Sequence, residues 1–528
     1  MSHSKQLSEF FFRSSKRFGE RHALFINEEN ILTYSQVEVR AKVLGSFLIN
    51  KNSKKIGVFA SKSEISYISI LAINLIGSTY IPLNPQYNVE RNISMIELSG
   101  LDTIIVDNSL IDSMIPILKN LEHRPTLIIP NLSKRERYKL LQFVLDENIV
   151  DDFTLKSCEP LNAEITVNPN TIAYILFTSG STGKPKGVPI SYKNIISYLQ
   201  YKLERYELNE NDRFTQIFEH TFDLSLFDIY MCWSTGGCLF PMNKWHLLNP
   251  IRFLNEHNIT VWFSVPSVIS LLKKLGKAQE GCLPNLRYSL FCGEALAVSN
   301  VMFWKTLAPN SIIENLYGPT EATISCSHYR IEDNLNSHNG IVSIGNIHGN
   351  LKYILIDDEG MPNVLRGQLC VHGPQVFDNY LNEEDGKGVI YHHKNSMGIT
   401  ERYYKTGDMI EVSSNGDLFY IGRLDSQIQV NGHRIELGEV EAAFIKHDRI
   451  NQVCAIGYPQ HNEIYNGIAV FISGDITLEE IKEKVNNDLP FYMLPKEIII
   501  LDELPLNDNG KVNKSRLKNY MSERVGAH

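Results

Sequence analysis

The sequence predicts an α/β protein with a large N-terminal body, a β-rich region at the end of that body, and a small C-terminal α+β domain. From about Thr33 to Pro319, segments of helical period alternate with short β-rich runs, which is typical of parallel α/β layers. From Ile341 to Ile421 the pattern changes to short strands separated by Gly and Asp turns. After Gly422–Asp425 a final segment of about a hundred residues begins again with a strand and a helix.

Individual segments support the alternation in the N-terminal body. Tyr34–Asn50 has helical period, whereas Lys55–Ala60, Thr103–Val106 and Thr126–Ile129 are short runs rich in β-branched residues. Ile65–Leu83 is the most apolar long stretch, but three serines, an asparagine and a proline interrupt it. A buried helix that continues into a strand is therefore predicted there, rather than a membrane span.

The last part of the chain is predicted to fold as a separate domain. Gly422–Asp425 is the candidate boundary, so the predicted domains are 1–424 and 425–528. The run Gln427–Val430 has strand character, and a helix is expected to begin near Glu436. The chain is then expected to end in a charged tail.

Composition excludes some classes of function. The 528 residues are 43% hydrophobic and 21% charged, and their net charge of -9 argues against broad nucleic-acid binding, which needs a basic face. The eight cysteines are scattered without a C-x-x-C pair, which predicts a reduced, cytoplasmic protein without a zinc site or disulfide framework. The first twenty residues contain an apolar run of only three, so no secretory signal is predicted.

A loop rich in Ser, Thr, Gly and Lys follows a predicted strand. The loop FTSGSTGKPKGV, Phe177–Val188, comes directly after the apolar run Ile172–Leu176. It is not a Walker A loop. Two residues separate Gly180 from Gly183, where a Walker A loop has four, and Pro185 stands where that loop has the Ser or Thr whose hydroxyl binds magnesium. Glycine amides, several hydroxyls and Lys186 nevertheless suit a phosphate. The hydroxyls belong to Thr178, Ser179, Ser181 and Thr182. Read alone, the loop also fits a mobile Gly/Ser turn.

Two further stretches carry side chains suited to a nucleotide. Asn315–Glu321 contains a tyrosine that could stack on a base and a glutamate that could hold a magnesium ion. Tyr403–Asp408 places an aspartate beside a glycine turn, where it could accept hydrogen bonds from ribose hydroxyls. Taken singly, both stretches fit ordinary turns, and Arg423 and Lys511 fit surface charges.

In their order and spacing, Phe177–Val188, Asn315–Glu321, Tyr403–Asp408 and the C-terminal Leu504–Val512 resemble the motifs of the adenylate-forming superfamily. This superfamily contains the amino-acid adenylation domains of nonribosomal peptide synthetases, acyl- and aryl-CoA synthetases, and luciferases. The resemblance covers essentially the whole chain. It implies a large N-terminal domain of two α/β subdomains and a β-rich subdomain, followed by a small mobile C-terminal α+β domain.

The resemblance also implies an AMP-forming acid–thiol ligase that uses ATP and Mg²⁺. A carboxylate would attack the α-phosphate while the loop Phe177–Val188 holds the β- and γ-phosphates, and a thiol would then attack the acyl-AMP. The implied ATP-binding residues are Thr178, Ser179, Gly180, Ser181, Thr182, Gly183, Lys186, Gly293, Glu294, Ala295, Asn315, Tyr317, Gly318, Thr320, Asp408, Tyr420, Arg423 and Lys511. Glu321 is the implied Mg²⁺ ligand, and the implied catalytic residues are Lys511, Lys186 and Thr178. Lys511 would neutralise charge where two anions approach.

Two further implications concern the C-terminal domain. Asp425 resembles the hinge residue about which the family rotates this domain between its two half-reactions. Val430–Glu439 matches the segment that enters the active site for the thiol step. Gln429 departs from the lysine that many members carry, which should alter contacts in the thioester-forming state without affecting adenylation.

Asp223 bears on the identity of the substrate carboxylate. In amino-acid-activating members an aspartate at this place binds the substrate ammonium. Because a buried carboxylate without a partner is costly, Asp223 implies a cationic ligand if it lines the pocket. The alternative is an aspartate that caps the next helix. By the resemblance, the pocket residues are Asp223, Leu224, Phe227, Phe263, Leu290, Cys292, Leu316, Ile324 and Ser325. Apart from Asp223 and Ser325 the set is apolar, which disfavours charged and amide side chains.

The pocket series is similar to that of stand-alone proline-activating adenylation proteins, which feed pyrrole and homotropane pathways. L-Proline is therefore the predicted substrate, and a prolyl-carrier-protein ligase of an anatoxin-like pathway is the predicted kind of protein. Only seventeen residues follow Lys511, and they contain no phosphopantetheine attachment motif, so a separate carrier protein is the expected acceptor. A D-alanyl carrier-protein ligase, an acyl- or aryl-CoA ligase, and a catalytically silent nucleotide-binding module remain the alternatives.

Overall fold

The computed structural model describes residues 6–163, 165–180, 185–276, 278–461, 464–506 and 512–525. Helices and strands are numbered here in chain order. The α-helices are α1 (Glu9–Phe18), α2 (Tyr34–Asn50), α3 (Glu64–Leu75), α4 (Val89–Ser99), α5 (Ile111–Asn120), α6 (Lys134–Leu140), α7 (Asp152–Lys156), α8 (Tyr192–Arg205), α9 (Leu224–Thr235), α10 (Pro250–Glu256), α11 (Ser267–Leu275), α12 (Val298–Leu307), α13 (Leu437–Ile445), α14 (Leu478–Asp488) and α15 (Lys514–Val525).

The first sheet of the N-terminal body is parallel except at one edge. In spatial order its strands are β7 (Ile149–Val150), β6 (Thr126–Ile128), β5 (Thr103–Val106), β3 (Lys55–Phe59), β4 (Thr79–Leu83), β8 (Ile172–Thr178) and β9 (Lys186–Ser191). Only β8 and β9 pair antiparallel. β4 and β5 are buried along their whole length, as expected for parallel strands with both faces covered.

The second sheet also has a parallel centre and antiparallel edges. In spatial order its strands are β18 (Asn346–Ile347), β15 (Ser327–Arg330), β14 (Ile312–Tyr317), β13 (Tyr288–Phe291), β12 (Val261–Ser264), β10 (Arg213–Gln216), β11 (Cys238–Pro241), β1 (His22–Asn27) and β2 (Asn30–Thr33). The hairpin β1–β2 begins ahead of Thr33, where the sequence placed the start of the α/β pattern. It was missed because a lone N-terminal hairpin has no alternating helix to signal it.

Helices α3, α8 and α9 carry buried polar side chains that connect the part of the body around the first sheet to the part around the second. The Tyr192 hydroxyl donates to Asn74 Oδ1 at 3.1 Å, and Asn74 Nδ2 donates to the Tyr230 hydroxyl at 2.7 Å. One continuous hydrophobic core extends from α2 and α3 to α8 and α9. The two α/β subdomains are therefore packed as one body.

The β-rich region predicted for Ile341–Ile421 is confirmed. Its main sheet is antiparallel and contains β20 (Pro362–Asn363), β19 (Lys352–Ile356), β21 (Arg366–His372), β23 (Thr400–Val412), β22 (Ile390–Lys394) and β24 (Leu418–Arg423), which pairs with β23. A two-stranded ribbon, β16 (Ser337–His338) with β17 (Ile341–Val342), precedes it.

The C-terminal part has the predicted α+β character. One small sheet contains β26 (His433–Glu436), β25 (Gln427–Val430), β29 (Ile464–Tyr465) and β28 (Gln460–His461), and another contains β27 (Ile450–Gly457), β30 (Ile468–Gly474) and β31 (Glu497–Ile500). The expected charged tail is instead the helix α15, which buries Leu517 and Met521. Their spacing of four places both on one face, which packs against β27 and β30.

The topology brings the ends of several strands to one place. In parallel sheets the loops that follow the carboxyl ends of the strands form the ligand site. Here β8, β13 and β14 end at Thr178, Phe291 and Tyr317, each directly before or within a stretch singled out in the sequence. The predicted fold class, a large α/β domain with a small C-terminal α+β domain, is confirmed.

Candidate active site

A cavity of about 720 Å³ lies between the carboxyl ends of β8, β13 and β14 and the beginning of the C-terminal domain. Most of the predicted site residues line it. They are Thr178, Ser179, Asp223, Leu224, Cys292, Gly293, Glu294, Ala295, Asn315, Leu316, Tyr317, Gly318, Thr320, Ile324, Asp408, Tyr420, Arg423 and Asp425. Residues 426–429 and 432–434 of the C-terminal domain complete its wall.

Some predicted residues do not line the cavity. Gly180, Lys186, Phe227, Phe263, Leu290, Glu321 and Ser325 lie outside its lining. Ser181, Thr182, Gly183 and Lys511 lie outside the described residues. The predicted phosphate loop is therefore described only in part, and the predicted catalytic lysine is outside the described residues.

The described part of the phosphate loop contacts the C-terminal domain. Thr178 ends β8 and pairs with Lys186 at the start of β9. The Ser179 hydroxyl donates to the carbonyl of Arg434 at 2.8 Å and accepts from the N–H of Glu436 at 3.2 Å. A hydroxyl predicted to face phosphate thus holds the strand β26 in this arrangement.

The part of the cavity predicted to bind adenine contains a fixed amide and a required glycine. Asn315 is 3% exposed, and its Nδ2 donates to the Ser343 carbonyl at 2.9 Å. This bond fixes the orientation of the amide, whose carbonyl oxygen is the acceptor that an adenine amine needs. At Gly318 a Cβ atom would lie 2.5 Å from the Ser325 Cα, so the turn after β14 accepts only glycine.

Asp408, the predicted ribose ligand, is 5% exposed. Its two oxygens accept hydrogen bonds from Arg423 Nη1 and from the Tyr317 hydroxyl. Arg423 also donates to both oxygens of Asp425, each at 2.7 Å. Burial raises the pKa of Asp408, although Arg423 opposes the effect. One guanidinium therefore connects the predicted ribose ligand to the predicted hinge residue.

Both carboxylate oxygens of Glu294, which is predicted for the adenine site, accept hydrogen bonds from backbone N–H groups. Oε2 accepts from the Ser267 N–H at 2.8 Å, at the start of α11. Oε1 accepts from the Gly432 N–H at 2.7 Å. Gly432 has a φ of +80°, and a Cβ atom there would lie 2.5 Å from Val265, so glycine is required for this approach.

Glu321, the predicted metal ligand, is completely buried in the described arrangement. Arg434 Nη1 lies 3.1 Å from its Oε1 and 2.8 Å from its Oε2, and the Tyr380 hydroxyl donates to Oε1 at 2.6 Å. Burial alone would raise the pKa of Glu321, but Arg434 and Tyr380 outweigh it and lower the pKa. A carboxylate is the kind of ligand that Mg²⁺ takes. With both oxygens bound to Arg434, however, the residues of this arrangement do not fit the metal.

Asp223 is the first residue before α9 and is 6% exposed. Its side chain makes no capping hydrogen bond to α9, which removes the helix-cap interpretation. Instead Oδ2 accepts from the Ile324 N–H at 3.0 Å. Burial raises the pKa of Asp223 to about 6, against the effect of this hydrogen bond. Throughout the described ranges, no cationic side chain pairs with it.

The predicted substrate walls form two groups. Leu224, Cys292, Leu316 and Ile324 line the cavity beside Asp223. The second group does not line the cavity, and in it the rings of Phe227 and Phe263 meet edge to face at 4.9 Å. Ser325, also outside the lining, donates to the Tyr198 hydroxyl at 3.3 Å. Both phenylalanines are completely buried.

Three residues of the site were not singled out in the sequence. Tyr380 and Arg434 bind Glu321, and Tyr198 binds Ser325. Arg434 lies inside the stretch Val430–Glu439, so its region was marked although its partner was not. Tyr380 and Tyr198 follow no pattern, because a buried tyrosine that binds a polar side chain has the same spacing as one that only fills the core.

A cavity between a large α/β body and a small C-terminal domain is the arrangement expected of an adenylate-forming protein. The chain belongs to the AMP-binding enzyme family, whose model matches residues 11–381. The model of the AMP-binding enzyme C-terminal domain matches residues 439–511. The predicted superfamily is thereby confirmed, and the matched family agrees with the predicted AMP-forming class of ligase.

The similar proteins include two kinds of relative. A mycosubtilin synthase polypeptide of Bacillus subtilis is 29% identical over 538 aligned positions, which cover 99% of this chain but 19% of that protein. D-Alanine--D-alanyl carrier protein ligase of Bacillus thuringiensis (strain Al Hakam) is 27% identical over 508 positions, covering 93% of this chain and 95% of the ligase. This chain thus spans a fifth or less of the synthases that it matches.

Solved structures share the fold. The adenylation domain AlmE of Vibrio cholerae, crystallised with glycyl-adenosine-5'-phosphate, superposes with a TM-score of 0.87 at 25% identity, and the superposition covers 98% of both chains.

In the part of the chain that the structure describes, no helix is long and apolar enough to span a membrane.

Proposed function

We propose that this protein uses ATP to activate a small apolar amino acid as its aminoacyl-AMP and then loads it onto the phosphopantetheine thiol of a separate carrier protein. Asp223 carries the proposal, because it is a buried carboxylate that lines the cavity beside apolar walls. The ammonium group of an amino acid would supply the cation that Asp223 lacks within the described residues. A fatty or aryl acid would leave the carboxylate buried and unpaired.

L-Proline is the proposed substrate. Leu224, Cys292, Leu316 and Ile324 offer no hydrogen-bonding side chain beyond a thiol, so a charged or amide side chain would stay unpaired there. The edge-to-face pair Phe227–Phe263 supports a short pocket. One methylene in an apolar pocket discriminates by only about 1 to 3 kcal/mol, so the competitors are amino acids of similar size.

An alanine- or glycine-loading enzyme is the second candidate. The similarity to D-alanyl carrier protein ligase extends over almost the full length of both proteins. The domain that superposes with a TM-score of 0.87 was crystallised with a glycyl adenylate. Both observations favour a small substrate, and the name of the ligase also supports a carrier protein as the acceptor.

The proposed chemistry has two balanced steps. An oxygen of the amino-acid carboxylate bonds to the α-phosphorus of ATP, and the bond to the bridging oxygen breaks to release pyrophosphate. The carrier thiol then gives its proton to solvent, its sulfur bonds to the carbonyl carbon, and the bond from that carbon to the phosphate oxygen breaks to release AMP. Asn315 would accept from the adenine amine and Asp408 from the ribose hydroxyls. Lys511 is proposed to stabilise the first transition state, and removing it should cost about 10²- to 10³-fold in rate.

The test is exchange of labelled pyrophosphate into ATP, dependent on the added acid. The panel contains L-proline, D-proline, glycine, L- and D-alanine, L-valine, benzoate and a short fatty acid. Wild type, Asp223→Ala and Lys511→Ala are compared. Exchange that is highest with L-proline and lost in both variants would support the proposal.

The other outcomes are equally informative. A maximum with D-alanine or glycine would select the second candidate and keep the role of Asp223. A maximum with benzoate or the fatty acid would contradict the argument from Asp223. ATP binding without exchange for any acid would favour the silent nucleotide-binding module.

A further inference from the structure

A salt bridge from the C-terminal domain occupies the carboxylate predicted to bind metal. Arg434 Nη1 lies within 3.1 Å of both oxygens of Glu321, and the Tyr380 hydroxyl donates to one of them at 2.6 Å. The Glu321 side chain is 0% exposed and that of Arg434 is 19% exposed. Glu321 therefore has its charge neutralised by a residue from the other domain.

Arg434 reaches Glu321 because its strand, β26, is anchored on the N-terminal body. The Ser179 hydroxyl donates to the Arg434 carbonyl at 2.8 Å. Glu294 accepts from the Gly432 N–H at 2.7 Å, two residues earlier. These contacts exist only while the segment 427–436 is docked, so the guanidinium arrives at Glu321 as part of docking.

One buried carboxylate cannot serve two cations at once. Mg²⁺ needs an oxygen ligand at about 2.0–2.1 Å in near-octahedral geometry, and a guanidinium on both oxygens blocks that approach. We propose that Arg434 replaces Mg²⁺ at Glu321, so that metal binding at this carboxylate and docking of the segment 427–436 exclude each other. The proposal rests on the proposed function in one respect, namely that the metal accompanies ATP.

This exclusion would set the order of the two half-reactions. During adenylation the segment 427–436 would stay undocked, because Glu321 is already neutralised. Without a cation beside it, Glu321 would be a buried unpaired carboxylate, which is costly. Docking of Arg434 removes that cost, so the docked arrangement would be favoured whenever Glu321 holds no metal.

A second ion pair between the two domains can distinguish competition between docking and metal binding from a local effect of the Arg434 charge on Glu321. Arg91 Nη1 lies 2.7 Å from Glu439 Oε1, and both side chains are 6% exposed. Neither residue contacts Glu321 directly. Breaking this pair should weaken docking and, because coupling between two binding events is reciprocal, strengthen metal binding although Arg434 is still present.

Hydrogen–deuterium exchange of the full chain measures docking without turnover. Samples contain ATP with EDTA or ATP with Mg²⁺, and no amino acid. The N–H groups of Gly432 and Glu436 donate to Glu294 and Ser179, so the peptide 427–436 reports docking. We expect Mg²⁺ to accelerate exchange of this peptide about tenfold, within the usual range of coupling. Unchanged exchange in a chain that binds ATP would overturn the proposal.

Variants test the same competition through metal affinity. Mn²⁺ binding to the ATP-bound chain is measured by electron paramagnetic resonance. Arg434→Gln should tighten Mn²⁺ binding about tenfold, and Arg91→Gln should tighten it in the same direction. Arg449→Gln is the matched control, since this exposed arginine pairs with Glu480 within the C-terminal domain at 2.6 Å. It should change nothing.

Two results would be decisive against the inference. Equal Mn²⁺ affinity in wild type and Arg434→Gln would contradict it, and so would an effect of Arg434→Gln without one of Arg91→Gln. Calorimetry of ATP binding is run on every sample. A chain that does not bind ATP counts against the proposed function, whereas ATP binding without metal-dependent release of 427–436 counts against this inference alone.

Discussion

Two buried carboxylates near the cavity, Asp223 in its lining and Glu321 outside it, have different partners. Asp223 is 6% exposed and, in the residues described, its side chain accepts from the backbone N–H of Ile324. Glu321 is 0% exposed and is bound by Arg434 of the C-terminal domain. A buried carboxylate without a cation is costly, which supports a cationic ligand at Asp223 in the cavity, whereas the cation beside Glu321 comes from the other domain.

A third carboxylate makes the contrast clearer. Asp408 is also buried, but its cation is Arg423, which stands opposite it across the antiparallel pair β23–β24. That pair lies within one sheet and does not depend on where the C-terminal domain sits. Of these three carboxylates, Asp223 has no cationic partner among the described residues, Asp408 is paired within its own sheet, and Glu321 is paired across the two domains.

The largest effect is expected from Asp223→Asn. The substrate ammonium would lose its charged partner, which typically costs 2 to 5 kcal/mol, or roughly 30- to 5,000-fold in kcat/KM for the amino acid. Pyrophosphate exchange measures this loss, and ATP affinity should stay unchanged.

Asp228→Asn is the matched control for that variant. Asp228 lies five residues further along, in α9, and is fully buried, and burial raises its pKa well above the ordinary value. Exchange activity in Asp228→Asn should remain close to wild type. Retained activity in Asp223→Asn would remove the distinction between the two kinds of carboxylate.

Asp408→Ala should have the next largest effect, on ATP. Loss of hydrogen bonds to a charged group costs about 1.5 to 3 kcal/mol, which corresponds to a rise of roughly 10- to 150-fold in KM for ATP. The amino-acid affinity should be unaffected, because the partners of Asp408 are Arg423 and Tyr317 and not the residues around Asp223. An equal loss for both substrates would mean that the Asp408–Arg423 pair supports the whole fold of the site.

Cys292→Ala should produce a smaller change, in substrate choice. Cys292 lines the cavity beside Asp223, and removing its sulfur enlarges the pocket. We expect the ratio of kcat/KM for L-pipecolate to that for L-proline to rise about tenfold, as expected for one methylene. Cys454→Ala, a buried cysteine of the C-terminal domain, is the control and should leave the ratio unchanged. A fall in the ratio would contradict the assignment of this wall.

The site residues that can be predicted from the sequence are those near the ends of parallel strands. Thr178, Asn315 and Tyr317 lie at or near the ends of parallel strands, and short apolar runs reveal such ends. The turn that presents Ile324 to Asp223 could not be predicted. Thr323 and Ile324 have φ values of +59° and +67°, a conformation that β-branched residues rarely adopt and that no Gly or Asn announces.

The contacts between the two domains also could not be predicted from the sequence. Arg434 and Glu321 are 113 residues apart, and their contact depends on where the second domain docks. Residue patterns encode periodicity and local turns, but they do not encode the relative position of two domains joined by a short connection. The stretch Val430–Glu439 could therefore be marked while the carboxylate that Arg434 meets could not.

A change of pH should separate Asp223 from Glu321 with the smallest of the expected effects. Burial raises the pKa of Asp223 to about 6, whereas Arg434 and Tyr380 outweigh burial at Glu321 and lower its pKa. Of these two carboxylates, only Asp223 should change charge between pH 7 and 5.5. Its ionised fraction falls from about nine-tenths to about a quarter, so kcat/KM for the amino acid should fall roughly fourfold.

The same shift acts on stability with the opposite sign. The folded-state pKa of Asp223 is about 6, above the ordinary value of 3.8, so the folded protein binds this proton more tightly than the unfolded chain does. This contribution to the free energy of unfolding is fully present below about pH 4 and is lost as the pH rises through about 6. We expect melting curves of Asp223→Asn to lack that component, while the wild type keeps it. A wild-type profile of kcat/KM without a limb near pH 6, together with identical pH dependence of melting in both proteins, would mean that Asp223 is not the titrating carboxylate of the substrate pocket.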